Sequence, residues 1–131
     1  MTPEQYIAAA RSYIGVPWQH QGRTRFGLDC VGLLICAAWD CGVEVLTPNT
    51  YGREPTTGEL TSMVRAYCSM VSTQKFGDII TMGLRPTHVG ILTDGSSPFG
   101  LIHVPTNGAC CEVTLQPEAC ALRGTYRPKV F

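Results

Sequence analysis

Apolar residues keep three different rhythms along this chain. Tyr6, Ala9, Ala10, Tyr13 and Ile14 recur three and four residues apart, the spacing of a helix with one buried face. Thr2-Pro3-Glu4-Gln5 ahead of them reads as a capping box with Pro at the first helical position. With Gly15 as its end, this pattern predicts a helix over about 3–14. Residues 16–27 hold one Pro, two Gly and two Arg, and read as loop. The second rhythm runs from Asp29 to Cys41, apolar nearly all round, which predicts a helix sunk in a core. Asp29 can cap that helix and Gly42 can end it. Residues 43–55 read as a connecting loop. Thr56-Thr57-Gly58-Glu59 offers a second capping box, and Leu60, Met63, Val64 and Tyr67 continue it as a helix near 57–69.

From Lys75 the rhythm shortens. The runs 77–82, 88–93, 101–104, 112–115 and 125–127 are rich in Val, Ile, Thr and Leu, and Gly, Pro, Asn and Asp clusters divide them. Short connections favour an antiparallel meander. The order predicts an α+β domain over 1–131, with N-terminal helices packed on a C-terminal antiparallel sheet of about five strands.

Composition narrows the partners. The 131 residues are 44% hydrophobic and 15% charged, so one globular core is expected. Ten acids balance ten bases, which argues against nucleic acid, whose phosphates call for a basic surplus. So few charges with no net charge favour self-association, as in a protein that works within an assembly. No basic segment followed by an apolar core opens the chain, so synthesis without a secretory leader is expected. No run reaches the roughly 18 apolar residues of a membrane span, so no membrane anchor is expected.

The seven cysteines cannot all pair with one another, and no CxxC spacing marks a zinc site. Cys36 and Cys41 read as core filler. Cys68, Cys110, Cys111 and Cys120 leave open a metal or iron–sulfur set, against the main expectation of no metal and no cofactor.

Cys30 is the first residue of the buried helix. Unpaired N–H groups and the helix dipole favour an anion there, which predicts a lowered thiol pKa. The competing reading is a small buried Cys that merely packs. Of the three histidines, His88 opens a strand-like run and His103 lies inside another. A thiol at a helix start with an imidazole on a facing sheet is the layout of a thiolate nucleophile and its base, a second polar group orienting the base. His103 can be that group, and the N–H of Cys30 can hold an oxyanion. Each His can equally be a strand residue satisfied by a hydrogen bond.

Four segments together resemble the NlpC/P60 cysteine peptidases, a papain-like group that cuts peptidoglycan stem peptides. Leu28-Asp29-Cys30-Val31-Gly32-Leu33 is similar to the family's nucleophile motif, and Phe76-Gly77-Asp78-Ile79-Ile80 to its Gly-Asp strand. Thr87-His88-Val89-Gly90-Ile91-Leu92 is similar to the strand bearing its base, and Leu101-Ile102-His103-Val104 to the strand bearing its third polar member. Gly15 to Gly22 sits where the family has Gly-x-Pro-Tyr-x-Trp-Gly-Gly. Pro17 to Arg23 and Tyr51-Gly52-Arg53 resemble the short single-domain members encoded with phage and prophage tail genes.

The resemblance implies a cysteine endopeptidase with Cys30 as nucleophile, His88 as base and His103 as orienting group. Its implied substrate is the peptidoglycan stem peptide, cut at a γ-D-glutamyl bond to a diamino acid. It implies a virion component made in the host cytoplasm, partnered by tail-tip or baseplate proteins and opening the wall while DNA is delivered. Asp29 is either a helix cap alone or also a ligand for the stem peptide's free amine. Trp18 stands where the family usually has Tyr, and Val31 where it usually has Ser. His20 either contacts substrate beside Trp18 or packs in the loop. Arg23 and Arg25 fit stem-peptide carboxylates, solvent or a protein interface, and Gly77-Asp78 reads as a structural turn. These departures support an alternative: a structural tail-tip protein that keeps the fold with little or no activity.

Overall fold

The computed structural model describes residues 1–46, 50–53, 55–83, 88–116, 118 and 121–131. Thr87 and Cys120 lie outside them. Helix α1 spans Pro3–Arg11 and α3 spans Thr57–Arg65. Both begin with the expected capping box: Gln5 N–H donates to Thr2 Oγ1 (3.1 Å) and Thr2 N–H to Gln5 Oε1 (2.9 Å). Thr56 and Glu59 repeat the exchange at 3.1 and 2.9 Å. Each helix stops short of the expected end. Ser12 Oγ donates to the carbonyl of Ala9, and the chain turns through Gly15 at φ +95°. The third helix gives way because Cys68–Val71 (β3) is a strand paired with the far C-terminal strand.

Before the central helix, Arg23–Thr24 (β1) and Gly27–Leu28 (β2) form a two-stranded hairpin in what the sequence suggested was plain loop. The central helix α2, Cys30–Asp40, is buried from Cys30 to Ala38 and ends before Gly42 at φ +79°. Five further strands follow: Ile79–Met82 (β4), His88–Asp94 (β5), Phe99–His103 (β6), Cys111–Leu115 (β7) and Leu122–Pro128 (β8). With β3 they make a six-stranded sheet, order β3-β8-β4-β5-β6-β7, every neighbouring pair antiparallel. The meander therefore holds from β4 to β7, and β8 then crosses back to pair with β4.

Both faces of this sheet are apolar. Ile79, Val89, Ile91, Ile102 and Val104 join α1, α2 and α3 in the main core, while Ile80, Met82, Leu92, Phe99 and Leu101 form a second buried cluster. Register shifts at Thr81/Met82 and Leu92/Asp94 bend the strands, as bulges do, around that second cluster. Asp78 lies fully buried just ahead of β4. Arg127 grips both of its oxygens at 2.8 Å, and the N–H of Lys75 donates to it at 2.9 Å, so Gly77-Asp78 is the structural turn the sequence suggested.

The described members of the late cysteine set do not come together. Cys68 sits on β3 and Cys111 on β7, opposite edges of the sheet with four strands between them. Among the described residues no His, Cys, Asp and Glu group could hold a metal ion.

Candidate active site

The β1–β2 hairpin delivers the chain to Asp29, and Asp29 starts α2. Its carboxylate is saturated. Oδ1 accepts from Gly32 N–H (2.7 Å) and Arg23 Nη1 (3.1 Å); Oδ2 accepts from Gln21 N–H (2.9 Å) and Tyr51 Oη (2.6 Å). A carboxylate has about four lone-pair sites, and four donors occupy them here. The capping reading is what the geometry shows; a substrate amine at Asp29 would have to displace one of these donors. Arg23 also reaches Tyr51 Oη through Nη2 (2.6 Å), so Arg, Tyr and Asp close a triangle. Burial and the bond to Asp29 push the Tyr51 phenol well above its ordinary range. This network demands a bare position on the helix: a Cβ at Gly32 would lie 2.1 Å from the carbonyl oxygen of Gly22.

Arg25 turns the other way. It donates to the Ser12 carbonyl (3.1 Å), pairs with Asp40 (3.1 Å) and stacks over Tyr13, fastening the hairpin tip to α1 and α2. Residues 15–18 zip onto the segment after β6 through Gly15 N–H to Cys110 O and Trp18 N–H to Gly108 O, both 2.8 Å. Trp18 also bridges to Leu28, two residues before Cys30, and its ring lies under the guanidinium of Arg53 at 4.7 Å. His20 packs edge-on against Tyr51, ring centroids 5.9 Å apart. Trp18 and His20 thus flank the hairpin and the Asp29 network. Tyr51, the hub on that side, carried only a motif likeness in the sequence.

On the sheet, His88 heads β5 and His103 ends β6. Their rings meet at 2.9 Å between His88 Nε2 and His103 Nδ1. For His88 to take a thiol proton on Nδ1, its Nε2 must carry hydrogen and donate to His103 Nδ1, which fixes both tautomers. The backbone N–H groups of Val89, the residue after His88, and of Val31 and Cys30 favour the Cys30 thiolate.

Those amides do not prevail. Burial, then the Asp29 carboxylate, push the Cys30 thiol up to about 12, opposite to the lowering that a helix start suggests. Cys30 is 8% exposed, and the loss of water around a thiolate outweighs the helix end. Burial and then His103 push the His88 imidazole down to about 4. At neutral pH both partners rest uncharged.

The fold is that of the NlpC/P60 domains. The NlpC/p60 domain of the peptidoglycan hydrolase SagA is similar over 97% of this chain and 99% of its own, with 22% identity and a TM-score of 0.67. An NlpC/P60 family protein from Bacillus cereus matches 98% of this chain, which spans 40% of that one, at 18% identity and a TM-score of 0.71. RipD from Mycobacterium tuberculosis, described as a non-catalytic NlpC/p60 domain protein adapted to peptidoglycan binding, matches 98% of this chain and 97% of its own. Its identity is 17% and its TM-score 0.63. No family profile and no curated protein sequence matches the chain.

Proposed function

We propose that this chain is a thiol peptidase that hydrolyses amide bonds in peptidoglycan stem peptides, carried at a phage tail tip or baseplate to open the host wall. The observation that carries the reading is the 2.9 Å bond between His88 and His103, with His88 directly before Val89, whose backbone amide favours the Cys30 thiolate. The sulfur attacks the amide carbon while its proton passes to His88 Nδ1. The Cys30 N–H at the helix start faces the developing oxyanion in this reading. His88 then returns the proton to the leaving amine, and water, deprotonated by the same ring, cleaves the thioester. His103 keeps His88 in the required tautomer throughout. Trp18, His20 and Arg53 form the substrate-facing rim in this reading, with the γ-D-glutamyl bond as the expected target. The tail-tip assignment rests on the likeness of Pro17–Arg23 and Tyr51–Arg53 to tail-encoded members.

Digestion of purified sacculi tests the chemistry. The wild type should release new peptide ends and Cys30→Ala none; no release from either, or equal release from both, refutes it. Mass spectrometry of purified particles should find the chain in the virion, and its absence there refutes the tail assignment. A second reading, a binding or scaffold domain without turnover, is favoured by one observation: the thiol is buried, Cys30 being 8% exposed.

A further inference from the structure

Between α2, α3 and the end of β8 lies a cavity of about 710 Å³, the size of a small-molecule pocket. Val31, Leu34, Ile35 and Ala38, spaced three and four residues apart along α2, form its floor. Leu60 of α3 and Val89 of β5 line its depth and are 0% and 1% exposed. The mouth is marked by the exposed lining residues Leu46, 81% exposed, and Lys129. Among the described residues Lys129 is the only charged side chain of the lining. Its ammonium reaches Cys68 in the wall closely enough to offset part of what burial does to that thiol.

We propose that this cavity binds a long-chain fatty acid, its unbranched chain along the α2 stripe toward Val31 and Val89 and its carboxylate on Lys129. A deep carbon-lined space whose only charged side chain among the described residues is a lysine is complementary to a single alkyl chain with one anionic end. A peptide segment fits it worse, because it would carry backbone N–H and C=O groups into a lining that offers them almost no partners. A second copy would bring Leu46 and Val130, which reach only the mouth. The site shares a wall with the thiol, since Val31 and Val89 follow Cys30 and His88, but needs no reaction there.

The test is displacement of a fluorescent fatty acid from the full chain by saturated acids from octanoate to hexadecanoate, below their micelle concentrations. Binding should be saturable and one-to-one, tightening about fourfold per added methylene until the cavity is filled. Lys129→Gln should weaken the carboxylate several-fold and leave the matching alcohol unchanged. Ala38→Trp should abolish uptake, and Cys30→Ala should bind like the wild type, which separates this proposal from the peptidase reading. Methyl resonances of Val31, Leu34, Val64 and Val89 in the wild type should shift with dodecanoate, a readout that needs no variant to fold. No saturable binding, affinity indifferent to chain length, methyl shifts confined to other parts of the molecule, or a dimer that covers the mouth and takes up no acid would each overturn it.

Discussion

Among the described residues, replacing Arg23 by Gln removes the one cation paired with the Asp29 carboxylate. The two side chains are 13% and 6% exposed and meet at 3.1 Å, so the pair is largely out of water. Breaking such a pair from one side typically costs 3–5 kcal/mol, because a charge stays behind without its partner. Here Tyr51, Gln21 and Gly32 remain on the carboxylate, which places the cost at the low end, about 3 kcal/mol. For a chain of this length that is a fall in Tm of about 10 °C. A second effect separates charge from mere packing. The Asp29 carboxylate already raises the Cys30 thiol pKa, second only to burial. Without Arg23 that push grows, so the thiolate population drops and Cys30 is alkylated more slowly at any given pH. Asp29→Asn should do the reverse to the sulfur, speeding alkylation while also loosening the helix start. Thermal melts and peptide-resolved mass spectrometry of iodoacetamide labelling read both effects. Arg23→Gln melting within about 2 °C of wild type with unchanged Cys30 labelling would refute this account.

Three further outcomes follow from the same structure. His88 is pushed down from 6.5 to about 4, so the unfolded state binds its proton first; about 3 kcal/mol of stability should be lost on acidification from pH 6.5 to 4. His88→Gln should flatten that part of a Tm-against-pH curve, and an unchanged slope would count against the buried neutral ring. A Cys30 thiol at about 12 rather than 9.0 holds about a thousandfold less thiolate at neutral pH, offset about twentyfold by its greater nucleophilicity. Labelling should therefore run about fiftyfold slower than for an ordinary cysteine and climb with pH without a plateau below 11. Gly32→Ala drives a methyl into the Gly22 carbonyl and should cost at least the 1–3 kcal/mol typical of overpacking, seen as a lowered Tm or loss of soluble protein.

What the sequence displays well is local. The capping boxes at Thr2 and Thr56 and the apolar α2 are written in neighbouring residues, and all three stand where they were expected. What it hides is set by distant partners. Cys68–Val71 looks like the tail of α3 because only β8, more than fifty residues on, makes it a strand. Alternation is blurred in β4, β5 and β6 because the bent sheet buries both faces, so residues such as Ile79 and Ile80 belong to different clusters. The pairing of His88 with His103 could be suggested from their strands, but the saturation of Asp29 could not. It depends on Arg23 and Tyr51, which lie 28 residues apart and meet only across the hairpin. The direction of the thiol pKa was lost for a related reason: a helix start is visible in sequence, whereas the depth to which the fold sinks it is not.

The neutral resting pair bears directly on which reading of the site is right. An attack by a protonated thiol on an amide requires His88 free of its proton and Cys30 still holding its own. That form dominates wherever the pH lies between the two groups, here from about 4 to about 12. The profile of kcat/KM reports the free enzyme's acid and base. Stem-peptide hydrolysis should therefore be level from about pH 5 to pH 10 and fall about tenfold per unit below pH 4, measured in short assays that stay ahead of acid unfolding. A solvated imidazole would place that limb near 6.5 instead, and finding it there would show that His88 is not held dry against His103. His103→Ala discriminates further. It removes the neighbour that lowers His88, so the acid limb should move up while the rate on the plateau falls, because the ring loses the contact that fixes its tautomer. A variant that lowered the plateau and left the limb in place would mean that His103 supports the fold without tuning the base.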